Sequence, residues 1–258
     1  CNFVSHFKMR DVNNGEGDVM PFLRELQDKE STMRAVNLYI FTRLSEEGLY
    51  ADYEKALSWR TEKKKIRKEE MDIFRVLVDK LMSCDKREEL LSSWFYSFEI
   101  PQIAKEFDLI KLGENKVAVN IEIKSQAIEE ERVIKQLKQN QYYLSHVADK
   151  IYSFAYIRED EKQCQLYCCN GTALQKCSLD ELIKCLNRIT LPIVDNIESM
   201  FRPKDYLISP LNTPDKFLGG NYYLTAQQDE IKREVLLAQN GEQNIWGING
   251  AKKKKKTL

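Results

Sequence analysis

Two apolar stretches on either side of a Gly-Glu-Asn turn constrain the fold of this 258-residue chain most strongly. Apolar and polar residues alternate in residues 107–112 and again in residues 116–124, and Gly113 begins the turn between them. A period of two residues is typical of a β-strand with one buried face, and glycine and asparagine are favoured in tight turns. The segment therefore predicts a β-hairpin.

Three charged side chains of this hairpin are expected to converge. Successive side chains of a strand point to opposite faces, so Glu122 and Lys124 share the face opposite to the valines and isoleucines. Asp108, on the neighbouring strand, is expected to reach the same place. Two carboxylates and an ammonium group suit metal-assisted phosphodiester hydrolysis, which requires oxygen ligands for a hard divalent cation and a positive charge near the attacking water. The alternative is a solvated charged face, since 31% of the residues are charged.

The spacing of these residues resembles a known motif. The pattern Asp108-x13-Glu122-x-Lys124 across a hairpin resembles the PD-(D/E)xK nucleases, which have the restriction-endonuclease-like fold. Residues 136–144, with the sequence QLKQNQYYL, resemble the Gln- and Tyr-rich helix that follows the lysine in many of these nucleases. The family's proline is not adjacent to Asp108 in this sequence. The resemblance covers roughly residues 67–190.

The resemblance implies a metal-dependent nuclease. Asp108, Glu122 and the Ile123 carbonyl would hold one or two Mg²⁺ or Mn²⁺ ions, and the metal would lower the pKa of a bound water. Lys124 would orient or activate that water and stabilise the transition state. Glu70, on the first helix of the fold, would be a further ligand, and a solvated glutamate is the alternative for this residue.

The substrate implied by the resemblance is DNA or RNA. Gln136 would act from the helix as a further catalytic residue, and Asn140 and Tyr142 would position the substrate backbone. The alternative function is a catalytically silent nucleic-acid-binding module that loads or regulates a helicase. Bacterial proteins of this layout resemble genome-defence systems such as phage defence, which is an analogy only.

The carboxyl-terminal sequence resembles the beginning of a helicase-like ATPase domain. Residues 224–228 match the Leu-Thr-x-x-Gln segment that precedes the nucleotide site in many helicases. Gly250, Lys256 and Thr257 match three positions of the phosphate loop G-x-x-x-x-G-K-[ST], but Lys255 occupies the second glycine position. Lysine lacks the backbone freedom that lets this loop curl around phosphates, so we expect no ATP hydrolysis by this chain.

Two explanations for the lysine run stay open: it replaces a phosphate loop, or it is an unrelated basic tail. The layout resembles the amino-terminal part of a nuclease and helicase fusion, whose motor would be a partner of the nuclease domain. A third functional alternative makes ATP-driven translocation the main activity of such a protein, with this part regulatory.

Composition restricts how the chain binds nucleic acid and where it acts. With 40 basic and 40 acidic residues its formal charge is zero, so binding depends on local patches such as residues 60–68, whose alternative is a solvated helix surface. Seven cysteines and no secretory or membrane-spanning pattern predict free thiols, a cytoplasmic location and no membrane partner. The cysteines lack Cys-x-x-Cys spacing, which disfavours structural zinc.

These patterns predict an α/β fold with a mixed central sheet flanked by helices and an N-terminal helical extension. Four segments are predicted: the helical extension 1–65, a nuclease-like domain 66–190, a Pro-rich linker or wrapping arm 191–221, and the helicase-like start 222–258. The connection between the hairpin and the strand at Ile151 is long enough for a parallel βαβ unit. The predicted helices are 33–44, 68–82, 130–147 and 178–188, and the predicted strands are 94–100, 107–112, 116–124, 151–157 and 164–169.

Overall fold

A six-stranded mixed β-sheet organises the chain. The structure is a computed structural model that describes residues 33–43, 68–100, 103, 105–160, 163–206, 215, 218–219 and 222–223. The strands lie in chain order across the sheet: β1 (Phe95–Ile100), β2 (Lys105–Leu112), β3 (Val117–Lys124), β4 (Lys150–Arg158), β5 (Cys164–Cys169) and β6 (Leu174–Cys177). Only β3 and β4 run parallel among these neighbours, and the other pairs are antiparallel. The predicted mixed sheet and its parallel crossover are confirmed.

Helices cover both faces of the sheet. The helices of the described residues are α1 (Leu38–Arg43), α2 (Lys68–Cys84), α3 (Glu88–Leu91), α4 (Glu130–Leu144), α5 (Leu179–Leu186), α6 (Ile197–Met200) and α7 (Pro203–Tyr206). On one face, apolar residues of α2 and α5 form a large cluster with Val119 and Ile121 of β3. On the other face, Val133 and Leu137 of α4 pack on Ala155 and Ile157 of β4. Glu122 of the candidate site lies on this α4 face, where Gln136 and Asn140 of α4 donate to it.

The predicted hairpin is present with the expected alternation. The ladder between β2 and β3 pairs Leu109 with Ile121 and Leu112 with Ala118. In the turn, the Gly113 N–H donates to the Val117 carbonyl at 3.0 Å. A Cβ atom added to Gly113 would lie 2.9 Å from the Thr190 carbonyl oxygen, so this position requires glycine.

The structure differs from the predicted elements at the start of α1, in the short helices α3, α6 and α7, and in strand β6. The helix predicted for residues 33–44 begins only at Leu38, because Val36 forms a β-bridge with Trp94 and the Asn37 side chain accepts the Tyr39 N–H at 2.9 Å. An asparagine that caps a helix in this way sets its first turn. The sheet also contains β6, a short strand that was not predicted from the sequence.

The last predicted helix begins at its capping box. The Ser178 hydroxyl accepts the Glu181 N–H at 3.2 Å, and the Glu181 carboxylate accepts the Ser178 N–H at 2.7 Å, so two N–H groups of the first turn are satisfied. Beyond α5, the first part of the predicted linker packs against the sheet unit. There, Ile197 and Phe201 are buried, and Phe201 contacts Phe98 of β1 with ring centroids 5.1 Å apart.

Several predictions concern residues outside the described part of the chain. Residues 1–208 and 209–258 form two compact units, and the second is described only at residues 215, 218–219 and 222–223. The helicase-like segment 224–228, the phosphate-loop positions 250–257 and the basic stretch 60–67 lie outside the described residues. No helix among the described residues is long and apolar enough to cross a membrane.

Lys111 is a buried lysine on β2, away from the candidate site. Its side chain donates to the backbone carbonyls of Glu89 and Leu90 at the end of α3, and the residue is only 3% exposed. Loss of hydration lowers the pKa of Lys111 from 10.5 to about 8, although the negative charge of Glu89 acts to raise it. The buried ammonium group therefore costs stability at neutral pH.

We expect Lys111→Met to raise the free energy of unfolding at pH 7 by about 1–2 kcal/mol, because relief of up to about 3 kcal/mol of desolvation exceeds the loss of two carbonyl hydrogen bonds. The unfolded chain keeps its Lys111 proton up to pH 10.5 and the folded chain loses it near pH 8, so the wild-type stability rises with pH across this interval. The variant should lack that rise. Urea denaturation at several pH values measures both effects, with exposed Lys184→Met as control. A less stable variant at pH 7 would contradict the prediction.

Candidate functional site

Asp108 lies where the β2–β3 ladder stops. The pair of Leu109 with Ile121 is the last of the ladder in that direction. One residue further, the Oδ2 atom of Asp108 accepts the backbone N–H of Ile123 at 2.7 Å. The Asp108 side chain thus accepts a hydrogen bond from the backbone of β3. This hydrogen bond fixes the Asp108 carboxylate beside the end of that strand.

Glu122 is a buried carboxylate held from three directions. Its Oε1 atom accepts from Asn140 Nδ2 at 2.6 Å, and its Oε2 atom accepts from Lys124 Nζ at 3.2 Å and from Gln136 Nε2. Gln136 and Asn140 lie four residues apart on α4, so both amides project from one side of the helix. The residue has no exposed surface. A buried charge of this kind is tolerated only when hydrogen-bonded and paired.

Lys124 connects the two carboxylates. Its Nζ atom lies 3.2 Å from Glu122 Oε2 and 3.9 Å from Asp108 Oδ2. The Lys124 side chain is 14% exposed and that of Asp108 is 31% exposed. Asp108, Glu122 and Lys124 therefore converge as their positions in the hairpin predicted, with Glu122 deepest and Asp108 nearest to solvent.

The site carries more negative charge than Lys124 neutralises. Loss of hydration and then the charge of Glu122 raise the pKa of Asp108 to about 7, against the opposing effects of Lys124 and of the Ile123 N–H. Lys105 is also close enough for its charge to interact with both carboxylates, and loss of hydration lowers its pKa. A carboxyl group with its pKa near neutrality is typical of functional sites.

An open cavity gives solvent access to one side of the site. Its volume is 440 Å³, and its lining includes Glu70, Glu106, Asp108, Ile123 and Lys124. The lining does not include Glu122. A ligand that entered this cavity would meet Asp108 and Lys124 first.

Two further residues of this cavity were not predicted. Ser97 of β1 has a φ of 55° in the left-handed region and is buried, between the ladder pairs Tyr96–Leu109 and Phe98–Phe107. Its hydroxyl donates to the carboxylate of Glu106. Serine rarely adopts this backbone conformation, and strained residues cluster at functional sites. Glu106 lies two residues before Asp108, which was the available signal in the sequence.

The structure places the predicted substrate-binding residues Asn140 and Tyr142 in different surroundings. Asn140 has no exposed surface and bonds to Glu122, so it supports that carboxylate. Gln136 does the same from one helical turn earlier. Tyr142 packs edge-on against Tyr143 and His146, with ring centroids 5.0 and 5.3 Å away, and is not part of the cavity lining. Glu70 lies on that lining, and its role as a further ligand stays a prediction.

The donor groups of the site fit a hard divalent cation, with one condition. Carboxylate and carbonyl oxygens are the ligands that Mg²⁺ and Mn²⁺ prefer, and Asp108 and Ile123 line a cavity with room for water ligands. Loss of hydration and the charge of Glu122 raise the pKa of Asp108, and a cation would offset that charge. For Glu122 to bind the cation as well, a side chain such as Lys124 must release its Oε2 atom. Among the described residues, no group of three or more His, Cys, Asp or Glu side chains is placed to hold a metal.

Comparisons with protein-family models, with curated proteins and with solved structures gave no match to this chain. The geometry around Asp108 and Glu122 therefore carries the functional argument.

Proposed function

We propose that this chain is a metal-dependent nuclease that hydrolyses phosphodiester bonds of DNA or RNA. The observation that carries the proposal is the convergence of Asp108, Glu122 and Lys124 beside an open cavity, with Lys124 within 4 Å of both carboxylates. The resemblance of the same three residues to the PD-(D/E)xK motif supports it. Bound Mg²⁺ or Mn²⁺ would activate a water and neutralise charge on the phosphate.

Each side chain has a separate role in the proposed reaction. Asp108, Glu122 and the Ile123 carbonyl would hold the cation. Lys124 supplies the ammonium group that orients the attacking water or stabilises charge on the phosphate. Gln136 acts through Glu122, because its amide fixes the orientation of that carboxylate. Such support of a metal ligand keeps the site in its reactive geometry.

A second candidate function has its own supporting observation. Both oxygens of Glu122 are engaged by Gln136, Asn140 and Lys124, and the side chain is buried. A site whose second carboxylate stays in that state would bind nucleic acid without cutting it. The engaged Glu122 carboxylate therefore favours the silent module that loads or regulates a helicase. The helicase-like sequence at residues 224–258 also supports this candidate.

A cleavage assay separates the two candidates. The purified chain is incubated with labelled single- and double-stranded DNA and RNA in the presence of Mg²⁺, Mn²⁺ or EDTA. We expect cleavage of at least one substrate with metal and none with EDTA. Lys124→Ala should lower the rate on the order of 10²–10³-fold, as loss of a charge-stabilising donor does in other enzymes.

Lys184→Ala is the matched control, because Lys184 is an exposed lysine on α5 and Ala is well tolerated in helices. This control should cleave at the wild-type rate. Binding without cleavage under every metal condition would support the silent module and refute the nuclease. Cleavage that Lys124→Ala leaves unchanged would place the activity elsewhere in the chain or in a contaminant.

A further inference from the structure

Four buried polar atoms lie on the α4 face of the sheet without a hydrogen-bond partner in the described part of the chain. They are Nδ2 and Oδ1 of Asn120, Oδ1 of Asn140 and Oγ of Ser153. Asn120 and Asn140 have no exposed surface, and Ser153 is 6% exposed. The interior therefore contains a cluster of polar side chains whose hydrogen-bonding groups are not paired by protein atoms of the described residues.

These side chains form one layer that continues from Glu122. Asn120 lies two residues before Glu122 on β3, so both side chains point to the same face. Ser153 is the register partner of Asn120 on the parallel strand β4. Asn140 approaches from α4, and its Nδ2 atom donates to Glu122. Because a carboxylate only accepts, this bond fixes the amide orientation and leaves Asn140 Oδ1 as the unpaired acceptor.

Leaving these atoms unpaired would be costly. A buried polar atom without a partner destabilises a fold, and native structures satisfy most such groups with protein or ordered water. Two donor hydrogens of the Asn120 amide, the acceptors of Asn120 and Asn140, and one hydroxyl together offer the two to four partners that a buried water requires. The composition of the layer matches a water site, since it contains donors and acceptors but no charge of its own.

We propose that Asn120, Asn140 and Ser153 hold ordered water behind Glu122, and that this water fixes the Asn140 amide and through it the Glu122 carboxylate. Asn120 and Ser153 are thus positioning residues for the proposed nuclease site, and their effect on cleavage rests on the proposed function. The water itself does not rest on it.

The experiment compares two hydroxyl deletions on neighbouring residues of β4. Ser153→Ala removes a hydroxyl of the polar layer, and Tyr152→Phe removes a buried unpaired hydroxyl on the opposite face of the sheet. Asn120→Leu removes the central amide, and Asn120→Ser keeps a polar group with space for water. The measurements are a high-resolution crystal structure of the wild type and of Asn120→Leu, melting temperatures, and kcat, KM and the half-saturating Mg²⁺ concentration.

We expect water density within hydrogen-bond distance of Asn120 and Ser153, and a rotated Asn140 amide in Asn120→Leu. Ser153→Ala and Asn120→Leu should lower the melting temperature, and Asn120→Leu should lower kcat about tenfold with KM unchanged, as loss of an outer support of a metal ligand does. Asn120→Ser should recover most of the rate, and Tyr152→Phe should cleave like the wild type and melt no lower.

Dry density at this layer, or variants that melt higher and cleave like the wild type, would overturn the proposal, because the unpaired atoms would then be an uncompensated cost. If the wild-type chain cleaves nothing, the proposed function fails by itself. The density, the Asn140 orientation and the sign of the melting shifts still decide whether water holds the layer together.

Discussion

Replacing Glu122 with glutamine is expected to abolish metal-dependent cleavage while the sheet stays folded. The substitution removes a charged ligand of the proposed cation and places an amide donor among the donors of Gln136, Asn140 and Lys124. Loss of several kcal/mol of transition-state stabilisation corresponds to a rate decrease on the order of 10³-fold. Single-turnover cleavage with saturating Mg²⁺ measures the effect, since it separates chemistry from product release.

Stability and binding must be measured on the same variant. The new amide donor faces the donors of Gln136, Asn140 and Lys124, and this should lower the free energy of unfolding by about 1–3 kcal/mol. Circular dichroism and denaturation therefore establish that the variant is folded under the assay conditions. Exposed Glu114→Gln, in the turn of the same hairpin, is the matched control and should cleave normally. Glu122→Gln that cleaves at the wild-type rate would remove Glu122 from the catalytic site and with it the resemblance to the nuclease motif.

The hairpin and its charged face could be predicted because their signals are local. Strict alternation fixes which residues of β3 share a face, and a slip of one residue would expose its whole apolar set, so the pattern specifies the register. The position of Asp108 could be predicted because the ladder of the two strands brings this residue level with the end of β3. The crossover to β4 required only a helix between parallel strands.

Residues that reach the site through contacts between strands or residues far apart in the sequence could not be predicted in the same way. Ser97 reaches the cavity because β1 pairs with β2, and its left-handed backbone is a property of the packed sheet. Lys105 begins β2, and its electrostatic interaction with both carboxylates depends on the tertiary arrangement. A side chain's propensity carries no information about such contacts.

Two buried amides, those of Asn140 and Asn120, also have a signal in the sequence. Asn140 lies in the helical stripe of Val133, Leu137 and Leu144, so its periodicity indicates a buried position under the sheet. The resemblance placed it on substrate, whereas it bonds to Glu122. Asn120, two residues before Glu122, shares that face by the same alternation that was used for Lys124.

The second large effect concerns stability, with Asp108→Asn. In the metal-free wild type, the folded chain holds the Asp108 proton up to about pH 7, whereas the unfolded chain releases it near pH 3.8. The folded state therefore binds more protons between these values, and the free energy of unfolding falls as pH rises through this interval. The full cost would be about 4 kcal/mol above pH 7, and it is smaller in practice because the side chain is 31% exposed to solvent.

Asparagine keeps an oxygen to accept the Ile123 N–H but carries no charge beside Glu122. We therefore expect Asp108→Asn to be more stable than the metal-free wild type at pH 8 by about 2 kcal/mol, equally stable at pH 4, and inactive in cleavage. Mg²⁺ should raise the melting temperature of the wild type and not that of the variant, because binding to the folded state is what stabilises it. Asp79→Asn, at an exposed ion pair with Arg43, is the control and should gain nothing. A gain in stability with loss of activity is the behaviour of a residue retained for function, whereas a variant that is less stable at pH 8 would make Asp108 a structural residue of the hairpin.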